Sequence, residues 1–279
     1  MDKRNLAWLV FLLIAFAGCT GSEKKQIKIS GSDTMVILGQ ALAESYMEKN
    51  PQTAISVTGG GSGVGIAALI EGTIDIAESS RDMKQEEIEK ARSRGVEPFK
   101  TIVAYDGIAV IVNKNNPVSE LTVEQIGKIF RGEIMNWREV GGPDTPISIY
   151  SRESTSGTYE FFKEHVLGKK DYTNTAKYVA GNALMVQSVA QDVNGIGYAG
   201  VAYAEQRSDV KIIGVKKDAG SPAYKPTKQT VASGTYPIAR SLNFYTNGEP
   251  KGEVKKFVDF VLSDEGQAIV ENVGYYRVV

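Results

Sequence analysis

The 279-residue sequence predicts a globular protein of the α/β fold class, and two observations support this prediction. Short β-rich runs alternate with helical patterns through most of the chain, which is typical of parallel sheets with crossover helices. Hydrophobic residues make up 42% of the chain and charged residues 23%, an ordinary balance for a globular protein. The length suits one large or two medium domains.

The first part of the chain predicts four strands and three helices. The strands are "IKIS" (27–30), "AISVT" (54–58), "TIDIA" (73–77) and "TIVAYDGIAVIVN" (101–113). The helices cover "MVILGQALAESYMEKN", "GVGIAALIEG" and "KQEEIEKARSRG".

The second part continues the alternation with longer connections. Thr122 and Gln125 fit a capping box before an amphipathic helix. The strand "ISIY" (147–150) precedes the helix "YEFFKEHVLG", which we expect to end at Gly168. The stretch "KKDAGSPAYKPTKQ" is rich in turn residues and shows no periodicity. A last strand, "LNFYT" (242–246), leads into two C-terminal helices.

The N-terminus predicts a lipoprotein signal peptide. A basic "MDKR" and an apolar "LAWLVFLLIAFA" precede "FAGC", which resembles the lipoprotein signal box and ends at Cys19. The apolar run is short for a membrane span, although an uncleaved anchor with an incidental cysteine is the alternative. We expect residues 1–26 to be signal peptide and polar tether. A lipid on Cys19 would then hold the protein outside the cytoplasmic membrane, in the periplasm or at the outer surface.

Charge and cysteine content exclude several classes of protein. The formal net charge is −1, so the chain as a whole does not attract nucleic acid. Any anion site must therefore create its own local positive potential. Because Cys19 is the only cysteine, an intrachain disulfide is impossible and the fold must depend on its core.

Three stretches share an arrangement of strand, Gly/Ser/Thr turn and helix. They are "SGSDTM" (30–35), "TGGGSGVG" (58–65) and "SRESTSGTYE" (151–160). The free N–H groups at a helix start bind anions, and serine or threonine hydroxyls add donors. Each stretch alone is weak evidence for such a site, because a serine or threonine helix cap is its default explanation. Three of them favour a shared anion site, because parallel α/β sheets gather such turns at one edge.

Two arginines add positive charge near these turns. Arg152 lies in the third stretch and could hold an oxyanion bidentately, or could form an ion pair with Glu153 or another acid. A fourth segment, "AESSRDM" (77–83), brings Ser79, Ser80 and Arg81 after a short strand. That segment could equally be a solvated loop before a charged helix.

Enzymatic readings find little support in the sequence. His165 is the only histidine, and its position inside "FFKEHVLG" favours a helix-surface or core residue over a general base. The nucleophile-elbow and P-loop motifs and Cys/His metal spacings are all missing from the sequence. We therefore interpret Ser62 and Ser156 as hydrogen-bond donors, and we predict neither a metal nor a cofactor.

These motifs together resemble the extracytoplasmic phosphate-binding proteins of the high-affinity phosphate ABC importer. The likeness runs from about Ile27 to the C-terminus. It is carried by the ordered set "GSDT", "GGGSG", the loop after "G-T-x-D-I-A", and "SRE-x-x-SGT", with the flanking "YDGIAVIVNKNNP" and "IFRGEIMNW".

The resemblance implies ten phosphate-binding positions. In the first lobe these are Ser32, Thr34, the amide of Met35, Ser62, Ser80 and Arg81. In the second lobe they are Arg152, Ser156, Gly157 and Thr158.

Position 80 departs from the family pattern. Ser80 falls where many members place an acid that accepts the phosphate proton, and Arg81 follows it, as in a shorter-chain branch of the family. Such an acid explains how phosphate is distinguished from sulfate, since a carboxylate facing sulfate is an unpaired repulsion. The acceptor would then be another group, with Asp33, Asp82 and Glu153 as unranked candidates.

The implied fold is the two-lobed, type II periplasmic-binding-protein fold, with two chain crossovers and the ligand in the cleft. We place the crossovers near 105–110 and 234–240. Lobe 1 would then contain 27–107 and 240–279, and lobe 2 would contain 108–239. The lobes would close on the ligand by a hinge motion.

The implied function is a monomeric receptor that captures inorganic phosphate and delivers it to the permease of an ABC importer. Receptors for another tetrahedral oxyanion, such as sulfate, molybdate or a phosphonate, are the nearest alternative. A phosphate-ester hydrolase and an adhesion or signalling protein on the same scaffold are alternatives from other classes.

Overall fold

The computed structural model describes residues 25–278. Cys19, the predicted signal peptide and nearly all of the predicted tether lie outside the described residues. Within the described range, no helix combines the length and the apolar character needed to cross a bilayer.

The described chain forms twelve strands, ten α-helices and a 3-10 turn over Trp137–Val140. The strands are β1 (Lys25–Gly31), β2 (Thr53–Thr58), β3 (Ile76–Ser79), β4 (Pro98–Asn113), β5 (Glu120–Thr122), β6 (Ser148–Arg152), β7 (Lys177–Val179), β8 (Gly195–Gly200), β9 (Val210–Ile212), β10 (Gly214–Lys216), β11 (Ala223–Tyr224) and β12 (Ala239–Asn247). The helices are α1 (Val36–Lys49), α2 (Ser62–Ile70), α3 (Gln85–Ser93), α4 (Val123–Phe130), α5 (Gly157–His165), α6 (Gly181–Gln191), α7 (Val201–Ala204), α8 (Lys228–Ala232), α9 (Gly252–Leu262) and α10 (Asp264–Val273).

The α/β class is confirmed, with differences at several element ends. β3 begins at Ile76 because Thr73 still bonds back to the Ala68 carbonyl through its amide and hydroxyl. α5 ends at His165, before the predicted Gly168. The turn-rich stretch contains the short β11 and the start of α8.

The predicted capping box at Thr122 is confirmed. The Gln125 amide donates to Thr122 Oγ1 at 3.1 Å, and the Thr122 amide donates to Gln125 Oε1 at 2.9 Å. Two backbone donors at the start of α4 are thereby satisfied.

A nine-stranded mixed sheet organises the molecule. The order is β2-β1-β3-β12-β4-β8-β6-β7, with β9 also paired to β4, and a second sheet has the order β11-β10-β5. β1, β2 and β3 are parallel, as are β6, β7 and β8, but β4 and β12 run antiparallel to their neighbours. Within this sheet the prediction of parallel pairing is therefore correct only for these two groups, and β10 and β5 are also parallel in the second sheet.

The long strand β4 joins the two halves of this sheet. Its residues through Gly107 pair with β12, and its residues from Ile108 onward pair with β8. Ala239 pairs with Gly107, and the Ile108 amide donates to the Ile238 carbonyl at 2.9 Å. The two segments predicted as crossovers therefore lie side by side where the halves meet.

Aromatic packing fixes α5 against the second half of the sheet. Phe162 is fully buried, and its ring stacks on that of Tyr198 at 4.0 Å. The Tyr198 hydroxyl also accepts from the Arg152 amide at 3.3 Å and lies 2.9 Å from Ser151 Oγ. Truncation of a buried phenylalanine of this kind to alanine costs about 3–5 kcal/mol. The helix start and the end of β6 are thus held in fixed relative positions.

Candidate functional site

The serine- and glycine-rich turns of the first half lie at one edge of the sheet. In the parallel registers, Ser30 of β1 is level with Thr58 of β2, and Gly31 is level with Glu78 of β3. The turns that follow these strands therefore emerge together, as expected for the carboxyl edge of parallel strands. These turns carry Ser32, Ser62 and Ser80.

Three buried hydroxyls form a cluster at this edge. Ser32 Oγ donates to Ser80 Oγ at 2.9 Å, and Ser80 Oγ lies 3.3 Å from Ser62 Oγ. The Ser80 amide also donates to Ser62 Oγ at 3.1 Å. Side chains that the sequence separates by up to 48 positions thus form one hydrogen-bonded group, which we call the serine cluster.

The start of α5 approaches the serine cluster from the opposite half of the molecule. Ser156 caps this helix by accepting from the Tyr159 amide at 3.4 Å. A Cβ atom on Gly157 would lie 2.2 Å from Ser62 Oγ and 2.7 Å from Ser80 Oγ. Only glycine permits this approach of the helix backbone, and the first N–H groups of a helix have no partner within it.

A second contact between the halves lies at the start of α2. The Gly63 amide donates to the Thr155 carbonyl at 3.1 Å. Gly61 has a positive φ of 98°, and a Cβ there would lie 2.4 Å from the same carbonyl oxygen. Gly61 of "TGGGSGVG" thus permits a close backbone approach across the cleft.

Thr34 and Thr158 extend the site across the two halves. Their hydroxyl oxygens are 3.0 Å apart. Asn182 Nδ2 also donates to Thr34 Oγ1 at 3.3 Å. The Met35 amide donates to the Ser32 carbonyl at 2.9 Å, and its side chain lies in the core. The hydroxyl of Thr34, rather than the amide of Met35, therefore faces the opposite half.

Arg152 is a buried cation with donors left over. It is the last residue of β6, whereas the sequence predicts a strand end at Tyr150. Its side chain is only 2% exposed, and Nη2 donates to Asp33 Oδ2 at 2.9 Å. Nε and Nη1 are buried and have no partner among the described residues. Burial lowers the pKa of Arg152, and the Asp33 carboxylate opposes that effect.

Such unpaired donors are costly in a buried site. A buried N–H without an acceptor costs about 1–3 kcal/mol, and more on a charged group. The two unpaired N–H donors of Arg152 indicate that an acceptor comes from outside the chain. The positive charge of the guanidinium favours an anion as that acceptor. The ion-pair partner of Arg152 within the chain is Asp33, and Glu153 is exposed.

Arg81 lies beside the serine cluster, with Nη2 3.9 Å from the position that a Cβ on Gly63 would take, but acceptors of the chain engage its terminal nitrogens. Its guanidinium donates to both carboxylate oxygens of Glu87 at 2.7 Å, and Nη1 also donates to the Asp82 carbonyl at 2.8 Å. This bidentate pair engages both terminal nitrogens, whereas Nε is buried and has no partner among the described residues.

The three candidate proton acceptors fall in different places. Asp82 is 70% exposed and pairs with Lys100, and Glu153 is exposed. Asp33 adjoins the site, where its Oδ1 accepts from the Gly60 amide at 2.9 Å while Oδ2 holds Arg152.

The sequence interpretation missed a buried ion pair behind the site. Arg240 donates to Asp106 Oδ2 through Nε at 3.0 Å and Nη2 at 2.8 Å. Its remaining contacts are with the Ser80 carbonyl at 3.0 Å and Thr34 Oγ1 at 3.3 Å. Asp106 also accepts from the Val201 amide at 3.1 Å. The sequence did carry a signal for this pair, since Asp106 lies in the apolar β4 and Arg240 lies in the apolar β12. A charge buried in an apolar strand requires a partner of opposite charge.

A groove of about 820 Å³ opens between the halves beside Arg81 and Arg240. Lys84 and Glu160 form an ion pair across it at 3.1 Å. His165 also lines the groove, at the exposed end of α5, and its ring stacks on Phe161 at 3.9 Å. Histidine at this end of the helix is remote from the helix start that carries Ser156. Among residues 25–278, no cluster of acidic, histidine and cysteine side chains is arranged to hold a metal.

Comparison with known proteins connects this arrangement to a family. A model of the PBP superfamily domain matches residues 19–265. Phosphate-binding protein PstS of Pseudomonas aeruginosa is 34% identical over 262 residues, covering 88% of this chain and 80% of that protein. PstS of Staphylococcus saprophyticus is 35% identical over 263 residues, covering 92% and 81%.

Solved structures show the same architecture. One, with bound phosphate, is a Clostridium perfringens protein assigned as a phosphate ABC transporter substrate-binding protein. Its TM-score is 0.82 and its sequence identity is 34%, and the match covers 91% of this chain and 100% of the Clostridium chain. An ABC-type phosphate transport receptor from Vibrio cholerae has a TM-score of 0.74 and 31% identity, covering 90% and 99%. The predicted two-lobed, type II fold is confirmed.

Proposed function

The chain belongs to the PBP superfamily and, within it, to the phosphate-binding proteins of ABC transporters, and we propose that its cleft holds inorganic phosphate. The protein binds phosphate for delivery to an ABC importer. One observation carries the placement of the ligand: buried Arg152 keeps Nε and Nη1 without partners among the described residues, beside hydroxyls from both lobes.

The proposed contacts come from both lobes. The first lobe contributes Thr34 and the serine cluster, and the second contributes Arg152 and the helix start from Ser156 to Thr158. The charge complementarity comes from Arg152 and from the start of α5. Arg81 is left out of the proposed set because Glu87 engages both of its terminal nitrogens, which leaves only Nε without a partner among the described residues.

The lobe boundaries remain part of this proposal. Lobe 1 comprises 27–107 and 240–279, lobe 2 comprises 108–239, and the hinge lies where β4 changes partner between Gly107 and Ile108. Direct contacts between the lobes, such as Thr34 with Thr158, are consistent with a closed conformation. The permease would recognise that closed shape.

The absence of catalysis, the oligomeric state and the location of the protein are also proposals. The protein catalyses no reaction, since the histidine that could serve as a base lies at the far end of α5 from Ser156. It acts as a monomer outside the cytoplasmic membrane, tethered through a lipid on Cys19. Incubation with a chromogenic phosphate ester should show no turnover.

Calorimetric titration of the mature chain with phosphate tests the site. We expect tight binding in the wild type and at least tenfold weaker binding in Arg152→Ala, because one charged bidentate donor is lost. Arg138→Ala, at an exposed arginine, is the matched control and should bind normally. Equal affinity in the Arg152 and Arg138 variants would refute the proposed site.

A panel of other oxyanions tests the nearest alternative. Sulfate, molybdate and a phosphonate are titrated under the same conditions as phosphate. Tighter binding of any of them than of phosphate would assign the receptor to that anion.

A further inference from the structure

We propose that the hydroxyl pair of Ser32 and Ser80, rather than a carboxylate, accepts the proton of the bound phosphate. The inference rests on the proposed function, since it concerns how the same site distinguishes protonated from unprotonated oxyanions. Monohydrogen phosphate carries one O–H group that needs an acceptor in a buried site, whereas sulfate carries none at neutral pH.

The nearby carboxylates already accept hydrogen bonds from groups of the chain. Asp33 accepts from the Gly60 amide and from Arg152, and Asp106 accepts from Arg240 and the Val201 amide.

Glu78 is separated from the serine cluster by the geometry of β3. Its carboxyl oxygen Oε1 lies 2.3 Å from the position that a Cβ on Gly39 would take, and it therefore packs beneath α1. Ser80 follows two residues later, at the turn after the strand end.

The hydrogen bonds within the cluster determine what Ser32 can offer. A serine hydroxyl has one hydrogen and two lone pairs. Ser32 gives its hydrogen to Ser80 Oγ at 2.9 Å, so only its lone pairs remain for a ligand. Ser32 is held in place by its amide, which donates to the Glu78 carbonyl at 2.9 Å, and its side chain is almost fully buried.

A neutral acceptor changes the expected specificity. A buried carboxylate at this position would repel sulfate, because sulfate has no proton to pair with its charge. Such a site therefore excludes sulfate strongly. A hydroxyl pair loses only a hydrogen bond with sulfate, so we expect phosphate to bind about 5- to 150-fold more tightly than sulfate. This protein should therefore bind sulfate measurably.

The test is the ratio of phosphate to sulfate affinity, measured by calorimetry in a buffer free of both anions. We expect a wild-type ratio of about 5 to 150. Ser80→Asp restores a charged acceptor and should raise the ratio at least tenfold by rejecting sulfate. Ser32→Ala should lower the ratio, and Ser32→Thr, which keeps the hydroxyl, should restore it. Ser93→Ala, an exposed serine on α3, is the control.

The outcomes separate this inference from the proposed function. A wild-type ratio above about 1,000 would show that a charged group reads the proton, contrary to the inference. An unchanged ratio in folded Ser32→Ala would overturn it as well. If that variant fails to fold, the wild-type and Ser80→Asp ratios decide. Absence of any phosphate binding by the wild type would instead refute the proposed function.

Discussion

Replacing Glu78 by glutamine should change how the stability of this protein depends on pH. Glu78 is fully buried in β3, and neither of its carboxyl oxygens has a hydrogen-bond partner among the described residues. Burial raises its pKa from 4.5 to about 8. The carboxyl group is therefore neutral in the folded protein at pH 7, whereas it is ionised in the unfolded chain.

The magnitude follows from the linkage between protonation and folding. Between pH 4.5 and about 8 the folded state holds one proton more than the unfolded state at this position. The stability contributed by Glu78 is therefore greatest below pH 4.5 and falls by about 1.4 kcal/mol per pH unit up to about pH 8. Over pH 5 to 8 the loss amounts to roughly 4 kcal/mol.

Urea denaturation in phosphate-free buffer at pH 5, 6, 7 and 8 measures this loss. The difference in unfolding free energy between Glu78→Gln and wild type should grow by about 4 kcal/mol over that range, because glutamine does not titrate. Glu44→Gln, at an exposed position on α1, should parallel the wild type. A constant difference between the Glu78→Gln and wild-type curves would refute the reasoning.

Three further predictions concern closure and local stability. Gly157→Ala should weaken phosphate binding at least tenfold in calorimetry, because the added methyl group would lie 2.2 Å from Ser62 Oγ. An unchanged Kd would show that the lobes need not approach so closely. Lys84→Ala removes the partly exposed ion pair with Glu160 and should raise the phosphate dissociation rate up to about fivefold in stopped flow, with a smaller effect in high salt. Thr122→Ala removes a helix cap and should cost about 1 kcal/mol in urea denaturation, and no loss would mean that the cap is dispensable.

The local features of the site could be predicted from sequence. Strand, small-residue turn and helix occur within about ten residues of one another, so "SGSDTM", "TGGGSGVG" and "SRESTSGTYE" predict three helix starts. The meeting of the first two follows from the rule that parallel strands present their carboxyl ends at one edge, whereas the third follows β6 in the other half of the sheet and reaches them across the cleft. The capping box at Thr122 depends on residues three apart and was predicted correctly for the same reason.

The charge pairing could not be predicted in this way. Arg152 pairs with Asp33, 119 positions away, rather than with the adjacent Glu153. Arg81 has a serine neighbour in the cluster, yet its side chain turns to Glu87 on α3. A side chain's partner depends on its direction from the backbone, which the sequence pattern near it does not specify.

The sequence by itself determined the α/β class, the order of the elements and the three turns that bear the site, because these depend on short-range periodicity and turn chemistry. Only the tertiary structure decided that Arg152 keeps two unpaired donors where Arg81 keeps one, and which acids are engaged. It also decided that Ser32 and Ser80 share one hydrogen bond across 48 positions. Those outcomes depend on distances between side chains brought together from separate strands, and a linear pattern carries no such distances.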